Sequence, residues 1–163
     1  MMIIKVPKNG KMKLGEALSR LKKEQSRLAR LILLRKESVY KEKGKKTKID
    51  PKKLSVEIEK KTEEIRKLKI KIQNTNLNTK VAGENLVLAE AIIKINDIRA
   101  EIEKLGNLFD KKRDFLYREK DEIEKVPLLD ELEIEDKIEK LQIEKTQLDN
   151  KIQMTNWTTV LID

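Results

Sequence analysis

Apolar residues recur along most of the chain at alternating steps of three and four positions, the spacing that places them on one face of an α-helix. The pattern is clearest from Leu88 to Phe109, where seven apolar residues follow it without interruption. It predicts an all-α fold. The predicted helices are residues 12–40, residues 51–76, a third that begins after Asn85, and a fourth that begins after Pro127 with Asp130 and Glu131 near its first turn.

The connection between the first two predicted helices is rich in lysine. Between Lys41 and Lys53 the apolar spacing is lost, and seven Lys face only Glu42 and Asp50. Asp50 followed by Pro51 favours a helix start, because Asp accepts hydrogen bonds from free backbone N–H groups and Pro suits the first helical position. The candidate basic loop consists of Lys41, Lys43, Lys45, Lys46, Lys48, Lys52 and Lys53.

The chain contains one unit twice. Lys71–Thr79 reads KIQNTNLNT, and Lys151–Thr159 reads KIQMTNWTT 80 residues later. Leu14–Leu21 and Leu88–Ile95 share the pattern L-x-E-A-[LI]-x-[RK]-[LI] at an offset of 74. The difference between the offsets places about six extra residues between the two helices of the second half. Each half is therefore predicted to be an αα-hairpin.

A hairpin with apolar residues along both helices cannot bury them alone, so two hairpins are expected to pack as a long antiparallel four-helix bundle or coiled coil. The up-and-down order would bring both repeated phrases and both chain ends to one pole, with short extended segments there. We expect a single domain over residues 1–163, comprising an N-terminal arm at 1–11, a first helical hairpin at 12–79 and a second at 80–163.

Aliphatic residues also occur where one four-helix layer does not need them. Leu33, Ile70, Ile93 and Ile143 lie outside the main apolar stripes. Such surplus positions predict burial against another subunit, and we expect a homo-oligomer.

The amino-acid composition limits the kinds of catalytic and metal-binding site that the chain can form. The chain has 38 Lys and Arg against 29 Asp and Glu, a net charge of +9, and neither His nor Cys. Without His the commonest general base and metal ligand are missing, and no Gly-rich phosphate loop is present. We expect no enzymatic activity, no metal and no cofactor. The opening apolar run is too short for a signal peptide and no 18-residue stretch lacks a charge, which indicates a cytoplasmic protein with no transmembrane segment.

Two polar groups of residues are candidate sites. The basic loop could bind nucleic acid or simply be solvated, and the second interpretation is preferred because no aromatic residue is interleaved for base stacking. The repeated phrases could bind a ligand or end the helices, with Asn76 and Asn156 at positive φ and Trp157 buried over the end of the core. The candidate polar residues are Thr75, Asn76, Thr79, Thr155, Asn156, Trp157, Thr158 and Thr159.

Four short motifs resemble the septicolysin family, whose members are small, largely uncharacterised helical proteins. They are Met12–Leu18, Ile72–Thr79, Leu88–Ala91 and the Thr-Asn-Trp-Thr-Thr phrase within Ile152–Thr159. The resemblance implies no catalytic residues, and the family name implies a membrane-active, haemolysin-like role. The preferred hypothesis is a structural or interaction protein of unknown biochemical function that self-associates. Nucleic-acid binding through the Lys41–Lys53 loop and the membrane-active role are the alternatives.

Overall fold

The spacing of three and four residues produces four α-helices in the part of the chain that the structure, a computed structural model, describes. That part comprises residues 11–40, 43–44, 49–109 and 126–162. The all-α fold and its hairpin arrangement are confirmed. The helices are α1 (Leu14–Glu37), α2 (Pro51–Asn78), α3 (Leu88–Gly106) and α4 (Glu131–Thr158).

Side-chain caps set two of the helix starts. The carboxylate of Asp50 accepts a hydrogen bond from the backbone N–H of Lys52 at 2.9 Å, with Pro51 in the first helical position, which confirms the predicted start of α2. Asp130 accepts in the same way from the backbone N–H of Leu132 at 2.8 Å. Each cap satisfies a donor that the first turn of a helix leaves free.

The predicted cap of the third helix is wrong. Asn85 lies before the helix, which begins at Leu88, because Val87 is still extended and pairs with Lys80 in an isolated antiparallel bridge. The backbone N–H of Val87 donates to the carboxylate of Glu90 at 2.9 Å, so a side chain from the first turn of the helix caps its N-terminus.

The chain forms two compact units. The first comprises Met1–Thr79 with Thr155–Asp163, and the second comprises Lys80–Met154. In the first unit α1 packs along α2, and in the second the ion pairs Lys94–Glu144 and Lys137–Glu101 join α3 to α4. The buried aliphatic residues of the first unit are Leu14, Ala17, Leu54, Ile58, Ile65 and Ile72, and those of the second are Val81, Leu88, Ala91, Ile95, Ile98, Leu105, Leu148 and Ile152.

Burial is uneven along α1. Leu14 and Ala17 in its first turn are completely buried, whereas Ile32 and Leu33 near its other end are 44% and 55% exposed. The apolar stripe of α1 is therefore only partly covered, and a groove remains open between α1 and α2.

The internal duplication is visible in the burial of equivalent residues. Leu14 and Leu88 are both fully buried, and Ile72 and Ile152 are both 6% exposed. The two repeats therefore use the same positions for their cores.

Both repeats also end in the same backbone contact. The N–H of Leu161 donates to the carbonyl of Met12 at 2.8 Å, and that of Val81 donates to the carbonyl of Leu86 at 2.9 Å. Because Leu161 corresponds to Val81 and Met12 to Leu86, the C-terminal segment meets the start of α1 as the linker between the repeats meets the start of α3.

Candidate functional site

The repeated Thr-Asn phrases, residues 75–79 and 155–159, lie at the C-terminal ends of α2 and α4. Thr75 is fully buried and Thr155 is 3% exposed, while Asn76 and Asn156 are each 9% exposed. All four side chains belong to the first unit. Polar groups so deeply buried need hydrogen-bonding partners. Because equivalent residues of the two phrases are buried to a similar extent, they have a structural role in both repeats.

The interpretation of Asn76 and Asn156 as left-handed helix ends is wrong. Among the described residues only glycines have positive φ, and both Asn residues lie inside their helices, which continue to Asn78 and Thr158. The terminal position of α2 is taken by Thr79, whose backbone is extended. After α2 the chain turns further on, around Gly83, whose φ is +73°.

Thr75 has a specific structural role. Its hydroxyl donates to the carbonyl of Lys71 at 2.8 Å and accepts from the backbone N–H of Ile162 at 3.0 Å. A residue of the first repeated phrase therefore holds the C-terminal segment against α2.

The second phrase holds the start of α1. The carbonyl of Thr159 accepts from the backbone N–H of Leu14 at 2.9 Å, and the carbonyl of Thr158 accepts from the ammonium group of Lys13 at 2.8 Å. Thr158 and Thr159 thus join two chain segments through their backbone carbonyls, whereas Thr75 does so through its hydroxyl.

The predicted burial of Trp157 is wrong. Its side chain is 56% exposed, although one side of the indole lies against Gly15. A Cβ atom at position 15 would come within 2.8 Å of ring atoms Cδ2 and Cε3. Trp157 therefore covers the start of α1 with one side of its ring and keeps the rest in water.

The structure places only part of the candidate basic loop. Lys52 and Lys53 belong to the first turn of α2 and are exposed, so they are not loop residues. Lys43 lies in a turn beside Gly44, whose φ is +88°. The other members, Lys41, Lys45, Lys46 and Lys48, lie outside the described residues.

An ion-pair cluster joins α1 to α2 where no site was predicted. The ammonium group of Lys61 lies 2.7 Å from a carboxylate oxygen of Glu64 and 3.1 Å from Oε2 of Glu24, an oxygen that has lost its contact with solvent. The Lys61 ammonium lowers the pKa of both carboxyl groups, and Glu64 followed by Glu24 raises the pKa of Lys61. The apolar stripe of α1 is interrupted by polar positions near Glu24. Nothing in the sequence, however, identifies Lys61 of α2 as the partner of Glu24.

The second unit contains two comparable contacts. Glu144 raises the pKa of Lys94. Lys151 lowers the pKa of Glu84, and its Nζ lies 2.6 Å from Oε1 of that residue. Within the described ranges no three Asp and Glu side chains converge as a metal site, and none of the helices there is long and apolar enough to cross a membrane.

An open, largely apolar groove lies between α1 and α2 in the first unit. Its volume is about 400 Å³, with Leu28, Ile32 and Ile65 among its walls and Arg66 and Lys69 at its edge. Sequence reasoning did not identify it, although Ile65, Arg66 and Lys69 follow the three- and four-residue spacing of one helix face.

The comparisons with known proteins agree with the fold. A model of a family of unknown function, DUF6847, matches residues 20–161. A crystal structure of a functionally unknown conserved protein from Corynebacterium diphtheriae matches with a TM-score of 0.83 and 29% sequence identity, over 94% of this chain and 100% of that one. A comparison with curated proteins gives no significant match.

The assignment to the septicolysin family is wrong, since neither the family model nor the similar structure indicates it. The motifs on which that resemblance rests are short sequences at helix starts and ends. Their residues make structural contacts here, so they carry little information about the family. The match over residues 20–161 shows instead that the chain belongs to the family of unknown function DUF6847.

Proposed function

We propose that the protein is a non-enzymatic, cytoplasmic interaction protein that self-associates through its helices. The supporting observation is the exposure of the four surplus aliphatic residues: Leu33 at 55%, Ile70 at 53%, Ile93 at 61% and Ile143 at 51%. A second copy that covers these side chains would remove apolar surface from water.

The free energy gained by covering these four side chains can be compared with the cost of association. Full burial of a Leu or Ile side chain contributes about 1.5–3 kcal/mol, so covering the exposed half of four of them in two copies contributes roughly 6–12 kcal/mol. Association costs about 4–15 kcal/mol in lost freedom. The four residues therefore drive association only together with further contacts.

Sedimentation equilibrium tests the proposal directly. The wild-type protein is expected to exceed its monomer mass of 19.1 kDa at micromolar concentration. A variant with Gln at all four positions is expected to be monomeric with unchanged helicity. The matched control carries Met at the same positions, since Met and Gln have similar helix propensity and differ in polarity. A wild-type particle of monomer mass at every concentration would contradict self-association.

Nucleic-acid binding is the second candidate, supported by the distribution of charge. The first unit contains 24 Lys and Arg against 10 Asp and Glu, whereas the second contains 14 against 19. A surface so rich in cations would bind phosphate with a strong dependence on salt. A gel shift with mixed-sequence DNA and RNA at low salt tests it, and an unshifted probe at all protein concentrations excludes it.

A further inference from the structure

The groove between α1 and α2 combines an apolar floor with a cationic edge. Leu28, Ile32 and Ile65 form part of the floor, and none of the residues that line the groove is acidic. Arg66 and Lys69 stand at the edge, where Arg66 also forms an ion pair with Glu63 of its own helix. A complementary partner would present aliphatic side chains together with carboxylates.

The first half of α4 presents such a surface. Leu132, Asp136, Glu139 and Ile143 follow one another at steps of four, three and four residues, so they share one helix face. Leu132 is 70% exposed and Ile143 is 51% exposed, and the two carboxylate residues between them are also exposed. The face spans about 16 Å at 1.5 Å per residue, somewhat longer than the groove.

We propose that the α1–α2 groove of one copy binds the Leu132–Ile143 face of α4 from a second copy. The proposal rests on the self-association proposed above and assigns its site. Aliphatic side chains of α4 contact the floor of the groove, and Asp136 and Glu139 come within reach of the long side chains of Arg66 and Lys69. Covering the apolar floor and pairing opposite charges at its edge supply the further contacts that the surplus aliphatic residues require.

The charge of the two units identifies the occupant as a second copy. The unit that contains the groove carries a net charge of +14, while the unit that contains residues 131–154 of α4 carries −5. Two copies of this chain therefore attract each other when unlike units meet. A nucleic acid would satisfy the cationic edge, but its phosphates would leave the apolar floor of the groove unfilled.

Charge reversal on each side of the contact provides the test. The groove variant carries Arg66→Glu with Lys69→Glu, and the helix variant carries Asp136→Lys with Glu139→Lys. Each variant alone places like charges across the contact, so its dissociation constant is expected to rise at least about tenfold over the wild type. In an equimolar mixture the acidic groove meets the basic helix, and the unaltered groove of one variant meets the unaltered helix of the other. Association is expected to return only in the mixture, which a folding defect could not produce.

The matched control is Lys60→Glu with Lys67→Glu. These exposed residues of α2 do not line the groove, and their replacement changes the net charge by the same amount. The control is expected to associate within about threefold of the wild type, since exposed charges outside the contact are screened by salt.

Light scattering after nuclease treatment separates the outcomes. If the wild type associates but the mixture is no stronger than its separate variants, the groove contact is overturned and self-association stands. If the wild type is a monomer, both proposals fail. If nuclease dissolves the wild-type assembly, nucleic acid fills the cationic surface and the contact between copies is likewise overturned.

Discussion

The indole of Trp157 lies directly against Gly15, where an added Cβ atom would come within 2.8 Å of the ring. The equivalent positions of the other repeat hold Leu77 and Ala89. The large Trp157, at the end of the second repeat, thus lies against Gly15, at the start of the first. Where Trp replaces Leu at the first position, Gly replaces Ala at the second, so the larger ring is matched by a smaller residue.

Gly15→Ala is therefore expected to destabilise the protein. The added methyl group must displace a rigid ring, and overpacking of this kind costs about 1–3 kcal/mol, part of which the better helix propensity of Ala offsets. Combining it with Trp157→Leu recreates the residue types of the other repeat and is expected to recover most of the loss. Urea unfolding of the four members of this double-mutant cycle measures the coupling.

Gly106→Ala is the control for that cycle. Gly106 is also in a helix, at the end of α3, and nothing lies within 4 Å of an added Cβ atom there. The substitution is expected to be neutral or to stabilise by up to about 1 kcal/mol. Equal losses at Gly15 and Gly106 would show that the indole contact is not responsible.

The helices and their pairing follow from local information. The spacing of apolar residues, the Asp50–Pro51 start and the repeat of L-x-E-A between Leu14 and Leu88 all act within one or two helical turns. These signals predict which faces of the helices are apolar. They contain no information on whether a partner covers each face, which is why the exposed groove beside Ile32 was not predicted.

Errors in the candidate site have a related cause. Asn76 and Asn156 tolerate the left-handed conformation, so their position near a helix end suggested termination. Both helices continue past these residues, to Asn78 and Thr158, and the phrase that contains Asn76 instead makes a distant contact, from the backbone of Ile162 to Thr75. Trp157 was expected to be buried over the end of the core, but it is 56% exposed and lies against Gly15, which is more than 140 residues earlier in the sequence.

Thr75→Val should reveal the contribution of the contact with the C-terminal segment. Val preserves the shape of Thr but cannot accept a hydrogen bond from the N–H of Ile162, so a part-buried donor loses its partner at a cost of about 1–3 kcal/mol. Thr146→Val is the control, because the exposed hydroxyl of Thr146 only donates to the carbonyl of Gln142 in its own helix. Thermal unfolding monitored by circular dichroism should show a clear loss for the first variant and little change for the second.

The cluster of Glu24, Lys61 and Glu64 makes stability depend on pH. A carboxyl group with a lowered pKa contributes stability that is present above its unfolded-state pKa, ordinarily 4.5, and is lost as pH falls through the folded-state value. The raised pKa of Lys61 contributes stability that is present below 10.5 and is lost as pH rises through the folded-state value. Between these limits the Glu24–Lys61 ion pair stabilises the α1–α2 pair, and the Glu64–Lys61 ion pair stabilises α2 itself.

Glu24→Gln is therefore expected to lower the midpoint of urea unfolding at neutral pH. The difference from the wild type should shrink as pH falls below 4.5 and vanish once Glu24 is protonated in the folded wild-type protein. Glu103→Gln removes an exposed carboxylate of α3 and serves as the control, with a small effect at either pH. A constant difference between wild type and Glu24→Gln from pH 7 to pH 2 would exclude the ion pair as its source.

The matching contacts at the two repeat junctions predict that the chain tolerates circular permutation. Ile162 corresponds to Ala82 and Lys11 to Asn85, so a Gly-Glu link between Ile162 and Lys11 would copy the connection that now joins the repeats. New termini between Gly83 and Glu84 then open the turn in which Gly83 has a φ of +73°.

Because the permutant keeps both backbone contacts, from Leu161 to Met12 and from Val81 to Leu86, its helicity should equal that of residues 11–162 in native order. Joining one pair of ends and freeing an equivalent pair changes the loop-closure entropy little, so the melting temperature should agree with that control within about 4 °C. A second permutant, opened inside α3 between Asp97 and Ile98, breaks the helix and should lose cooperative unfolding. Failure of the first permutant to fold while the native-order control folds would show that the two junctions are not equivalent.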